Sequence, residues 1–351
     1  MISLFAPKLN QGDEIRVIAP SCSLSYVWEE KSEKALCYLE QQGFHVSFSK
    51  HSREIDDWNS SSVRSRVEDI HEAFLDDNVK AILTAIGGFN VNQILEHIDY
   101  EIIRQHPKIL CGYSDITALL SAVYAKTGLV TYHGAHFSTF GFEIEPEYTQ
   151  KAFFDCVMDN DSLTLKPSQN AKEYTIIQQG VCEGTIIGGN LCTLNLLQGT
   201  QFMPQADAIV LFVEDDNIMG DYFIYEFDRN FQSLLQAYGT EKVKGVVFGR
   251  FDDSCRMSAD VVKRIIADKL PKNIPVMFGV DFGHVFPMIA CCQFSGNPAR
   301  VTVSGDEHEV VITLFKQHLA EIAVKIIVIP HEVAFVKSPV VDGPHHIQIR
   351  V

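Results

Sequence analysis

The sequence predicts an α/β protein built on a parallel sheet with helices on both faces, followed by a second domain. Three observations carry that reading. Short apolar runs of strand length alternate with stretches whose apolar residues recur at helical spacing, the pattern of linked strand–helix–strand units. Several of the runs stop at glycine or at one polar side chain, as strands do at the crevice edge of a parallel sheet. A chain of 351 residues, 46% hydrophobic and 21% charged, is long enough for two cores of ordinary composition.

Taken in order, residues 15–19 read as a strand and Pro20-Ser21-Cys22-Ser23 as the loop after it. Ala35, Leu36 and Leu39 mark a helix closed by Gly43, and Val67, Ile70, Phe74 and Leu75 share one face of a second. Residues 81–86 form a buried-type strand ending in Gly87-Gly88, and Val91, Ile94, Leu95 and Ile98 continue as a helix. Residues 108–111 are the next strand, followed by a helix through Ile116, Leu119, Leu120 and Val123. Between residues 160 and 174 the sequence becomes polar and turn-rich, which sets a first domain at 1–165 and a second at 166–317. The second holds strands at 208–213, 245–248 and 275–280, with late strands at 301–303 and 310–314. Its clearest helix presents Phe227, Phe231, Leu234, Leu235 and Tyr238 on one face and stops at Gly239. Another begins at the N-cap Ser258 and reaches Leu270 before Pro271. Residues 318–351, with Ile326-Ile327-Val328-Ile329-Pro330, form a tail with three open readings: an extra strand, a dimer contact or an ill-fitting end.

Composition excludes some partners. With 29 Lys and Arg against 45 Asp and Glu the net charge is −16, and no basic cluster offers the counterion release that nucleic-acid binding needs. No run reaches the ~18 apolar residues of a membrane span. The amino terminus lacks the basic segment and apolar core of a signal peptide. Nine cysteines, odd in number and without a C-x-x-C pair, with Cys291 and Cys292 adjacent, read as reduced thiols of a cytoplasmic protein.

Three apolar runs end in a polar side chain of catalytic type. Residues 108–111 lead to Ser114, 207–213 to Glu214, and 276–280 to His284. Converging at one crevice, they make a hydrolase that needs neither metal nor organic cofactor. Each has a plainer alternative. Ser114 with Asp115, between a strand and a helix, is placed as a nucleophile elbow or as an N-cap. Gly87-Gly88 suits an oxyanion hole or a simple βα turn. Glu214-Asp215-Asp216 can orient a histidine, hold Mg²⁺ or be a solvated loop. His133 and His136 compete with His284 as a metal pair, although Gly134 between them favours loop positions lining the cleft. Ser21, Cys22 and Ser23 are the alternative hydroxyl and thiol groups for substrate binding.

With these residues identified, the chain resembles the serine-dependent LD-carboxypeptidases and the related microcin C immunity peptidases. The matching pieces are Gly12-Asp13 with Ile18-Ala19-Pro20-Ser21, Ala85-Ile86-Gly87-Gly88-Phe89, Cys111-Gly112-Tyr113-Ser114-Asp115 and Gly188-Gly189-Asn190-Leu191. Gly199-Thr200, Phe212-Val213-Glu214-Asp215, Gly249-Arg250-Phe251 and Gly283-His284-Val285-Phe286-Pro287-Met288 complete a set that covers about residues 10–315 in the expected order. The resemblance implies a flavodoxin-like amino-terminal domain and a smaller β-rich α/β carboxy-terminal domain, in a cytoplasmic homodimer. It implies Ser114 as nucleophile, His284 as general base, Glu214 as its orienting partner, and the backbone N–H groups of Gly88 and Asp115 as oxyanion hole. Asn190 and Phe89 would lie near substrate; Phe89 stands where tyrosine is frequent, so any contact from that hydroxyl is missing.

Activity is then expected to fall as His284 protonates, near the ordinary value of about 6.5 unless burial moves it. Two substrates remain open: a murein tetrapeptide losing its terminal D-alanine, or an aminoacyl-nucleotide of microcin type. The first needs a cation for a free carboxylate, for which Arg229 and Arg250 are available. The second gains from an aromatic platform, for which Tyr174, Tyr222 or Tyr225 would serve, since Trp28 and Trp58 both lie in the amino-terminal half. The stretches 198–204 and 227–251 lean toward the immunity type. A non-catalytic, Mg²⁺-assisted nucleotide-binding module is the alternative from another class.

Overall fold

A computed structural model describes residues 3–143, 146–158, 163–165, 168, 174–286, 288, 292–295, 298–303 and 310–314. The domain boundary expected between 160 and 174 falls mostly, and the tail 318–351 wholly, outside the described residues.

The amino-terminal sheet contains β1 (Glu14–Ile18), β2 (His45–Phe48), β3 (Val79–Thr84), β4 (Ile109–Gly112) and β5 (Thr131–His133), all parallel. They lie side by side as β2-β1-β3-β4-β5, the flavodoxin-like order. Between them run α1 (Glu29–Gln41), α2 (Val63–Leu75), the short α3 (Tyr100–Gln105) and α4 (Ile116–Thr127). Alternate residues of β3 and β4 feed different apolar clusters: Ile82 and Leu110 on one face, Ala81, Leu83, Ile109 and Cys111 on the other. Both faces are covered, which is why these strands read as unbroken apolar runs.

The helix expected through Val91, Ile94, Leu95 and Ile98 is a 3₁₀ helix, Val91–His97. Its first amide donates to Asp115 Oδ2 at 3.0 Å, and it cannot run on because Asp99 caps α3 by accepting from Glu101 N–H at 3.0 Å.

After α5 (Pro146–Met158) the chain builds a mixed sheet from β6 (Leu163–Leu165), β7 (Thr175–Gln178), β8 (Gly180–Asn190), β9 (Ile209–Glu214), β10 (Val243–Gly249) and β11 (Val276–Val280). Next comes β12 (Cys292–Ser295), which crosses back to pair antiparallel with β5 in the first sheet. Then β13 (Pro298–Val303) and β14 (Val310–Leu314) rejoin the second, whose order is β6-β14-β13-β8-β9-β10-β11-β7. Its central strands β8 to β11 are parallel. They are linked by α6 (Leu191–Asn195), α7 (Phe223–Tyr238) and α8 (Ala259–Ile266). Ser258 caps α8 as expected, but the helix ends at Ile266, where the amides of Lys269 and Leu270 both turn back to the Ile266 carbonyl.

One apolar cluster joins the halves. Ile116, Leu119 and Leu120 of α4 belong with Leu191 and Leu194 of α6 and with Phe227 and Phe231 of α7. Among the described residues no helix is long and apolar enough to cross a membrane.

Candidate active site

Ser114 is the middle of the three residues between the end of β4 and the start of α4. The turn is tight: Ile116 N–H donates to the Tyr113 carbonyl at 3.2 Å and Thr117 N–H to the Ser114 carbonyl at 2.9 Å. To make it, Ser114 takes φ 62°, a left-handed conformation that costs an L-residue about 1–2 kcal/mol. The neighbouring β3 turn must leave room for this projection. A Cβ on Gly87 would sit 2.8 Å from Ser114 Cβ and 3.0 Å from its Oγ, so only glycine fits there.

The second sheet supplies the facing groups. Glu214 ends β9 and is fully buried; His284 follows β11 by one short loop. His284 Nδ1 is 2.7 Å from Glu214 Oε2, and its Nε2 is 2.9 Å from Ser114 Oγ. With Nδ1–H donated to the carboxylate, a neutral imidazole presents a bare Nε2 to the hydroxyl. Burial by itself would lower the imidazole. Glu214 and its hydrogen bond, with Asp216 and Asp215, outweigh burial and push it up to about 9. Burial would likewise raise Glu214, yet the His284 charge and hydrogen bond, with His133, hold it below the ordinary value. The hydroxyl, imidazole and carboxylate therefore form one connected chain across residues 70 and 170 positions apart.

A cavity of about 170 Å³ opens at this chain, lined by Gly88, Phe89, Ser114, Asp115, Asn190, Asp215 and Asp216 together with the apolar Leu196, Ile218, Met219, Phe223 and Phe227. Residues 15–134 match the LD-carboxypeptidase N-terminal domain and residues 183–301 the LD-carboxypeptidase C-terminal domain. The chain belongs to the LD-carboxypeptidase family. YocD of Bacillus subtilis, a carboxypeptidase by name, is 44% identical over 320 residues, covering 86% of this chain and 97% of its own. The crystal structure of an MccF-like protein from Bacillus anthracis is 42% identical with a TM-score of 0.84, covering 89% of this chain and 100% of that one. The microcin C7 self-immunity protein MccF of Escherichia coli is 28% identical over 345 residues, 90% of this chain and 97% of its own. The structure of MccF in complex with aspartyl sulfamoyl adenosine has a TM-score of 0.77 at 26% identity, covering 90% and 100%.

In this LD-carboxypeptidase-family chain the other site residues divide by what holds them. The Asp115 carboxylate accepts from Ser21 Oγ at 2.6 Å and Val91 N–H at 3.0 Å, so it ties three loops together. Ser21 is thereby engaged inward. Cys22 N–H donates to the Gly87 carbonyl at 3.1 Å, and Ser23 Oγ to the Ser52 carbonyl at 3.3 Å. Asn190 donates its side-chain amide to Asp215 at 3.0 Å, caps α6 by accepting from Thr193 N–H at 2.9 Å, and donates its backbone N–H to Thr117 of α4 at 3.0 Å. Burial, with Glu214 and Asp216 beside it, pushes Asp215 up to about 8. Phe89 is 76% exposed on the cavity rim.

His133 and His136, expected as loop positions lining the cleft, are both buried; His136 lies in the connection after β5, whereas His133 is a strand residue. His133 ends β5 with its Nε2 3.8 Å from Glu214 Oε1, and burial holds it down to about 4. His136 is buried against Thr84 Oγ1 at 2.8 Å under the Tyr113 ring, and burial depresses it well below the ordinary value. Among the described residues no three His, Cys, Asp or Glu are grouped to hold a metal ion. Cys22, Cys37, Cys111, Cys156, Cys182, Cys192 and Cys255 are reduced thiols.

Both arginines considered for a substrate carboxylate already face protein carboxylates. Arg250 is 3.0 Å from the buried Asp281, and Arg229 is 3.0 Å from Glu226. Tyr174 is buried and is no stacking platform, whereas Tyr222 and Tyr225 are exposed beside the cavity residues Phe223 and Glu226. Two features escaped the sequence reading. Asp216 Oδ2 lies 3.7 Å from His284 Nε2, and Asp281 gathers donors from distant segments. The signal for Asp281 was present, since it ends an apolar run just as Glu214 does.

Proposed function

We propose that this protein is a serine peptidase with Ser114 as nucleophile, His284 as general base and Glu214 as the group that orients and stabilises the imidazolium. The observation that carries the reading is the connected chain from Ser114 Oγ through His284 to Glu214, at 2.9 and 2.7 Å. Ser114 Oγ attacks the carbonyl carbon of an amide-type bond while its proton passes to His284 Nε2. The oxyanion turns to the backbone N–H groups of Gly88 and Asp115. His284 then gives the proton to the leaving nitrogen, the bond to carbon breaks, and water releases the acyl group by the same steps in reverse order of roles.

For substrate, the reading favours an aminoacyl-nucleotide over a murein tetrapeptide. The likeness to MccF, solved with aspartyl sulfamoyl adenosine, supports it. So does the exposed apolar rim of Phe89, Ile218 and Met219, with the exposed Tyr222 and Tyr225 next in sequence to cavity residues, which suits a nucleobase. A tetrapeptide substrate would instead draw on Arg250 or Arg229 for its terminal carboxylate, and both are paired elsewhere.

Intact-mass analysis after exposure to a fluorophosphonate tests the mechanism. One adduct is expected, mapping to Ser114, and Ser114→Ala is expected to lose the adduct and on the order of a thousandfold or more in turnover. Wild-type turnover in Ser114→Ala would end the serine reading, and metal-dependent nucleotide binding without an adduct would favour the non-catalytic module. Parallel incubation with a murein tetrapeptide and an aspartyl-nucleotide decides the substrate.

A further inference from the structure

His284 is borne by the irregular segment 281–286, which among the described residues has no strand ladder of its own to fix it. The loop is fastened on both sides of the histidine. Upstream, the fully buried Asp281 carboxylate accepts from Tyr148 O–H at 3.1 Å and from Ser168 N–H at 2.9 Å, and faces the Arg250 guanidinium at 3.0 Å. Downstream, Met288 N–H donates to Thr149 Oγ1 at 3.1 Å. Between them the Phe286 ring stacks on Phe142 with centroids 4.5 Å apart. Tyr148 and Thr149 are neighbours in the first turn of α5, the helix that follows the nucleophile's own sheet.

We infer that the first turn of α5, through Tyr148 and Thr149, is the clamp that holds the His284 loop at the distance Ser114 requires, and that these two are positioning residues for the proposed reaction. The inference rests on the serine reading given above. Its physical basis is that proton transfer from Ser114 needs hydrogen-bond distance, and a misplacement of about 1 Å can cost on the order of a hundredfold in rate. Neither hydroxyl touches Ser114, Glu214 or His284, so each acts only by placing the loop. Arg250 then serves the same end from just past β10: its guanidinium faces the Asp281 carboxylate, and its backbone N–H donates to the Val280 carbonyl at 2.8 Å.

The test uses the full chain with Thr149→Val, Thr149→Ser and Tyr148→Phe, all close in size to the residues they replace. Turnover and the rate of fluorophosphonate addition at Ser114 are measured together with thermal stability. Thr149→Val and Tyr148→Phe are expected to lower kcat and the addition rate about tenfold, with KM within about twofold, and Thr149→Ser to restore both. Wild-type kcat and addition rate in Thr149→Val and Tyr148→Phe would overturn the inference, as would a Thr149→Ser as slow as Thr149→Val. A wild-type protein that takes no adduct at Ser114 would instead remove the serine reading beneath it.

Discussion

Ser114 and His284 each sit where their own chemistry resists: a left-handed backbone for the serine, and for the histidine a place where burial opposes the charge that the neighbouring carboxylates favour. The second has a kinetic consequence. To act as the proposed general base His284 must be neutral, and it is pushed up to about 9 by Glu214, Asp216 and Asp215 against the effect of burial. Below that pH the neutral fraction grows about tenfold per unit, so kcat/KM is expected to climb from pH 7 and level off only above about 9. The expectation of an inflection near 6.5 is thereby revised upward. Asp216→Asn removes a negative charge 3.7 Å from Nε2 and should move the inflection down by roughly one unit, raising activity at pH 7. A pH–rate profile of both proteins checks this, and an unmoved or rising inflection in the variant counts against it. Ser114, Glu214 and His284 were legible in the sequence because each follows an apolar run that ends at the crevice. The shared partner of Arg250 and Tyr174, Asp281, was not legible because it is 31 and 107 positions away (281 − 250 and 281 − 174), and such pairings leave no local trace.

At the scale of elements, periodicity served best where one apolar face meets a core and a stop residue closes it. In α7, Phe227, Phe231, Leu234, Leu235 and Tyr238 are all buried, and Gly239 ends the helix at φ 85° and ψ 122°, with its N–H on the Leu235 carbonyl at 2.9 Å. That backbone region belongs almost wholly to glycine, so Gly239→Ala is expected to cost about 1–3 kcal/mol in urea denaturation. Turnover should be unchanged, since the cavity takes Phe223 and Phe227 from the opposite end of α7. An unaltered midpoint would mean that the turn relaxes without loss. Periodicity failed where a side chain from elsewhere sets the winding. The 3₁₀ helix Val91–His97 spends its first amide on Asp115, and nothing in residues 91–98 announces it. Strand β12 was equally hidden, because its partner β5 lies in the other half of the chain and is only three residues long.

The largest-scale question is whether two sheets that divide the proposed reacting groups between them behave as two folding units. The topology argues that they do not. From β11 the chain passes through the His284 loop, gives β12 to the first sheet, and returns as β13 to the second, so the first sheet cannot lose its β5 edge without pulling on the segment that follows His284. The core agrees: α4, which follows Ser114, shares one apolar cluster with α6 and α7, and Thr117 of α4 accepts the Asn190 amide at the end of β8. Apolar contacts that cross from one sheet to the other are lost in both when either opens, which makes the transition cooperative. In urea, far-UV circular dichroism, turnover and fluorophosphonate addition at Ser114 should therefore fall along one curve with a common midpoint. A plateau in which activity is gone while roughly half the ellipticity persists would show that one sheet survives alone. In that event the distance between Ser114 and His284 would depend on domain docking rather than on a shared core.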